Sequence, residues 1–122
     1  MTNASRIAVA CLLAAAYLSL PRVAHAHAFL DHASPRVGSS VRSPTDVTLT
    51  FTEGVEPAFS KIEVLDADAK PIGVGALEHP DATTLRVSLP RLPAGKYKVK
   101  WKVVSVDTHD TEGTFQFSVE AP

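Results

Sequence analysis

Five stretches of this chain alternate apolar and polar side chains with a period of two, and that alternation restricts the fold more than any other feature. Val47, Leu49 and Phe51 alternate with Thr48, Thr50 and Thr52; Ile62 and Val64 alternate with Lys61 and Glu63; Leu85, Val87 and Leu89 alternate with Thr84, Arg86 and Ser88. Tyr97, Val99, Trp101 and Val103 face one way while Lys96, Lys98, Lys100 and Lys102 face the other, and Phe115, Phe117 and Val119 repeat the pattern near the end. Side chains two apart on an extended backbone share a face, so each stretch is predicted to be a strand with one side in a core and one in water. The core is then aromatic and β-branched.

Turn residues fall between these runs, at Ser34-Pro35, Ser43-Pro44, Glu56-Pro57, Lys70-Pro71, His79-Pro80-Asp81 and Pro93-Ala94-Gly95. Proline and glycine there set turns and cannot continue a sheet. The spacing predicts an all-β domain of about seven strands, a Greek-key or immunoglobulin-like sandwich, with a closed β-barrel as the alternative. No stretch after residue 26 carries a helical period of useful length.

The first 26 residues are of another kind. Arg6 supplies a short basic region, Ile7 to Leu20 is almost wholly apolar, and Ala24-His25-Ala26 is a small-x-small cleavage site, the pattern of a secretory signal peptide. A membrane anchor is the competing reading, but the apolar run is shorter than the roughly 20 residues a spanning helix needs, and Pro21 and Arg22 end it. Cys11, the only cysteine, lies inside the run rather than at its end, which argues against a lipoprotein anchor. Cleavage between Ala26 and His27 leaves residues 27–122 as one exported domain without a disulfide. Loss of Arg6 and Arg22 from 12 Lys+Arg leaves 10 against 13 Asp+Glu, a net charge of -3. That balance argues against nucleic acid as a partner.

Residues able to carry chemistry are few. There is no nucleotide-binding glycine loop, no nucleophile elbow and no zinc-type Cys or His cluster. What stands out is Asp107-x-His109, just after the longest alternating run, together with the terminal His27. In extended backbone Asp107 and His109 would point to one side and Thr108 to the other. A terminal histidine offers its α-amine and its imidazole to one metal as a chelate. With His109 that makes three nitrogens, and Asp107 adds an oxygen, a donor set that favours copper(II) over zinc. Spacing alone also admits a plainer reading, in which His27 is a solvated terminus and His109 a surface loop residue.

Three further features have blander readings. His79 falls in an expected exposed turn, His32 is expected at the surface, and the lysine stripe is the wet face of a strand that discourages edge pairing or, alternatively, a dock for an acidic partner.

The chain carries His27-Ala28-Phe29-Leu30, Ser34-Pro35, then Val47-Thr48-Leu49-Thr50-Phe51-Thr52-Glu53 with Val55-Glu56-Pro57. Val104-Ser105-Val106-Asp107-Thr108-His109 and Gly113-Thr114-Phe115-Gln116-Phe117 follow in the same order. Together these resemble the CopC family of periplasmic copper-resistance proteins, and the match spans nearly all of residues 27–122. The resemblance implies a cupredoxin-like or immunoglobulin-like Greek-key fold, a periplasmic location, a monomer, and a copper(II) site at His27, Asp107 and His109. It adds Glu53, because some members have an acidic residue at the site there, and it implies an inner-membrane copper transporter of the CopD type as partner. This chain departs from the family in having Asp110 where a proline usually follows the histidine. Some members carry a methionine-rich copper(I) site, but Met1 is the only methionine here, so one copper(II) site and no such copper(I) site is expected. The expected role is non-enzymatic copper binding; a histidine-brace redox enzyme of the polysaccharide-oxygenase kind is the alternative.

Overall fold

The computed structural model describes residues 28–122. The expected signal peptide, 1–26, and His27 lie outside the described residues. Eight strands form among the described residues: β1 (Leu30–Ser34), β2 (Ser40–Val41), β3 (Asp46–Phe51), β4 (Lys61–Leu65), β5 (Glu78–Asp81), β6 (Thr84–Ser88), β7 (Gly95–Val104) and β8 (Asp110–Val119), with a short 3₁₀ turn at Pro57–Phe59. They make two four-stranded sheets, ordered β1-β3-β6-β5 and β2-β8-β7-β4. Neighbours are antiparallel except β2 and β8, which run parallel. Of the two architectures the alternation allowed, this is the sandwich.

The alternation becomes burial directly. Val47, Leu49 and Phe51 of β3 and Leu85 and Val87 of β6 are buried on one sheet; Ile62 and Val64 of β4, Tyr97 to Val103 at alternate positions of β7, and Phe115, Phe117 and Val119 of β8 are buried on the other. Across the layers Phe51 meets Trp101 edge to face, with ring centroids 5.2 Å apart. Tyr97 stacks on Phe117 at 5.7 Å, and its hydroxyl donates to the Pro93 carbonyl at 2.6 Å. The buried ring body thus keeps a satisfied polar tip.

One close approach makes a clear demand on sequence. Gly113 sits opposite Trp101 in the β7/β8 register, and a Cβ at that position would come 2.5 Å from Trp101 Cζ2. The indole occupies the space a side chain would need. Gly113→Ala is therefore expected to destabilise the fold by about 1–3 kcal/mol, measured as a lower urea midpoint with unchanged m-value.

Three strands fall outside the expected pattern, and one of them, β2, has only two residues, too few to show a period. Glu78–Asp81, expected as an exposed turn, is β5, an edge strand with all four residues exposed. Pro80 is tolerated because an edge strand leaves one side of its backbone unpaired. β1 shows no alternation because its register shifts between Leu30 and His32, a bulge that breaks the period of two. His32 is exposed, its Nδ1 2.9 Å from Asp31 Oδ2, and His79 Nδ1 lies 3.1 Å from the Thr84 carbonyl. The lysine stripe is exposed as expected, but β7 is an interior strand, so it guards no edge.

Candidate metal centre

Three segments meet at one end of the sandwich. The β7/β8 hairpin turns through residues 105–109. Beside it run residues 53–56: Val106 N donates to Gly54 O at 3.0 Å, Val55 bridges Ser105, and Glu56 N donates to Val104 O at 2.8 Å. The third segment is the start of the described chain. Ala28 is fully buried, and its carbonyl accepts from Thr111 Oγ1 at 2.6 Å. Phe29 N donates to Thr52 Oγ1 at 3.0 Å, and Thr52 N returns a bond to Phe29 O at 2.8 Å. Ala28 and Phe29 are thereby clipped to both sheets, one residue short of Glu53 on one side and two past His109 on the other.

The turn brings Asp107 and His109 together, by a different route from the one expected. The backbone there is not extended. Ser105 N donates to His109 O and Thr108 N to Ser105 O, both at 2.9 Å, and Thr108 takes a left-handed φ of 72°. A tight turn closed by these bonds folds Asp107 back toward His109, so Asp107 Oδ1 lies 3.3 Å from His109 Nδ1. An alternating strand end would have set them apart along a face; the hairpin places them in contact.

Ser105 is the hub of this turn. It is fully buried, its hydroxyl donates to Asp107 Oδ1, and Ser105 Oγ also lies 3.3 Å from His109 N and 3.2 Å from His109 O. The Ser105 hydroxyl above all, against the opposing effect of burial and with help from His109, holds the Asp107 carboxyl below the usual carboxylate range. A depressed folded-state pKa contributes stability above the ordinary Asp value of about 3.9, and that contribution is lost as pH falls through the folded value. Asp107 is thus an anion at neutral pH. Asp107 Oδ1 and His109 Nδ1 are 3.3 Å apart, close enough for both to reach one ion.

Of the residues expected at the site, Asp107 and His109 are paired, and Glu53 is half-buried on the adjoining segment. Among the described residues no group of three or more His, Cys, Asp or Glu side chains is arranged to hold a metal. His27, the expected third ligand, lies outside the described residues. Asp110 is exposed at the first position of β8, paired with Val104. Ser105, Thr52 and Thr111 were not singled out from the sequence. Ser105 had a signal: it continues the inward phase of Tyr97, Val99, Trp101 and Val103, and a polar residue at an inward position calls for a partner.

Comparisons with known proteins bear on the family of the chain. Copper resistance protein C of Escherichia coli is 35% identical over 106 residues, spanning 80% of this chain and 84% of that one. The crystal structure of CopC from Methylosinus trichosporium OB3b superposes with a TM-score of 0.71 at 39% identity, covering 77% of this chain and 94% of that one. That of PcoC, a methionine-rich copper resistance protein from Escherichia coli, superposes at 0.73 with 29% identity, over 78% of this chain and all of the other. The CopC domain matches residues 30–120, which include both sheets and the Asp107–His109 turn, and the chain belongs to the CopC family.

Proposed function

We propose that this protein, exported and cut before His27, is a periplasmic copper(II) carrier that binds one ion and performs no reaction on it. The ligands are the α-amine and imidazole of His27, the imidazole of His109 and the carboxylate of Asp107, with Glu53 at the margin. The observation that carries this reading is the ready-made pair of Asp107 and His109 at 3.3 Å, set beside a chain start held at Ala28 by Thr111. Residue 27 is one peptide step, about 3.8 Å between Cα atoms, from that clip. Nitrogen and carboxylate donors suit copper(II), and the names of the matched copper resistance proteins support copper as the cargo.

Carriage is favoured over redox catalysis because an anionic carboxylate beside the imidazole favours the more highly charged oxidation state of copper. The absence of methionine from residues 27–122 leaves no thioether set for copper(I). Handing the ion to an inner-membrane transporter of the CopD type, and action as a monomer, complete the reading. The test is intact-mass measurement of the exported protein, followed by titration of that species with copper(II) and with copper(I) under a competing chelator. One equivalent of copper(II) and no tight copper(I) uptake is the expected result; oxidised polysaccharide products from the copper-loaded protein with ascorbate and peroxide would favour the enzyme instead.

Affinity should fall steeply below about pH 6, because the amine and both imidazoles must shed protons to bind while Asp107 is already ionised. Titrations between about pH 8 and about pH 5 check this. A level profile would rule out histidine ligation.

A further inference from the structure

We propose that Ser105 is the positioning residue of this centre, the side chain that fixes how Asp107 and His109 are presented before any ion arrives. The proposal rests on the copper(II) reading above. A fully buried hydroxyl must find partners, and all those of Ser105 lie within the turn it opens: Asp107 Oδ1, the His109 amide and the His109 carbonyl. The hydroxyl has one proton to give. Given to the charged carboxylate it makes the strongest bond on offer, and its oxygen then receives the His109 amide. Ser105 is itself tied to the neighbouring segment through its bridge to Val55, so the hub is anchored in the sheet and not in the loop it organises.

Geometry also sorts the two oxygens of Asp107. The contacts from Ser105 Oγ and from His109 Nδ1 both fall on Oδ1, so the hydroxyl acts on the same oxygen that faces the imidazole. Without the hydroxyl, Asp107 would be free to rotate about its side-chain bonds, and binding would have to order both the carboxylate and the turn. A ligand set held in place beforehand avoids that ordering cost.

Threonine and valine at position 105 have the same shape and differ by the hydroxyl, so they separate positioning from packing. Ser105→Thr is expected to keep the copper(II) affinity and the copper(II) electron paramagnetic resonance spectrum of the parent protein. Ser105→Val is expected to lose affinity by about 10–100-fold, the usual range for a group that orients a ligand, with a changed hyperfine splitting. Ser105→Ala, which adds no atoms, should lose affinity as valine does, because the loss comes from the missing hydroxyl and not from the extra methyl. In an Asp107→Asn background the same alanine change should cost far less, because the group it acts through has changed. Equal affinities and spectra for the threonine and valine proteins, or losses that simply add in the double variant, would overturn the proposal. If instead the parent protein with a free His27 amine takes up no copper(II), the copper reading itself is what fails.

Discussion

Copper(II) affinity is expected to fall by on the order of a hundredfold to a thousandfold when a single alanine is placed ahead of His27, a loss of about 3–4 kcal/mol. The added residue leaves every side chain in place and converts one basic amine into an amide, which is a poor donor at neutral pH. The new terminal amine sits a residue further out, beyond the chelate that His27 closes with its own ring. Stability of the metal-free protein should not change, because the bonds that hold the chain start belong to Ala28 and Phe29. Two titrations under one competing chelator, on proteins verified by mass, decide the matter. Equal affinities would show that the terminal amine is no ligand.

The second large effect is expected from His109→Ala. The side chain is 52% exposed and the turn is closed by the backbone and by Ser105, so unfolding without metal should shift by no more than about 0.5 kcal/mol. Copper should behave very differently. At a free copper(II) concentration a thousand times the dissociation constant, the parent protein gains about 4 kcal/mol from the bound ion. A hundredfold weaker variant at the same concentration retains only about 1.4 kcal/mol of that gain. Melting curves with and without copper(II) give the comparison in one experiment. An undiminished copper-induced shift in the His109→Ala protein would remove His109 from the ligand set.

How much of this was legible beforehand depends on whether a residue's role is local. The inward residues of β3, β4, β6, β7 and β8 could be read directly, because burial on one face of a strand leaves a period of two in the sequence. β1 and β5 left no such trace: a bulge interrupts the first, and the second lies at an edge where neither face is buried. At the site, Asp107 and His109 were visible by residue type and spacing, yet the reason they meet was not. An extended strand was the simplest backbone for an i, i+2 pair, whereas bonds from Ser105 to His109 close a turn with Thr108 in a left-handed conformation. Thr52 and Thr111 were silent for another reason. Their partners are Phe29 and Ala28, the latter 83 residues away from Thr111, and no local pattern encodes a hydrogen bond over that distance.

That last bond has a consequence for quality control. Ala28 opens the described chain and Thr111 belongs to its final strand, so the place where a terminal histidine would be presented exists only once the last strand is seated. A copy still missing β8 keeps the bonds between Phe29 and Thr52 but lacks the Thr111 bond to Ala28 and the far side of the hairpin. Such a copy presents no complete cradle. On the copper(II) reading proposed above, metal loading would then favour finished molecules over unfinished ones.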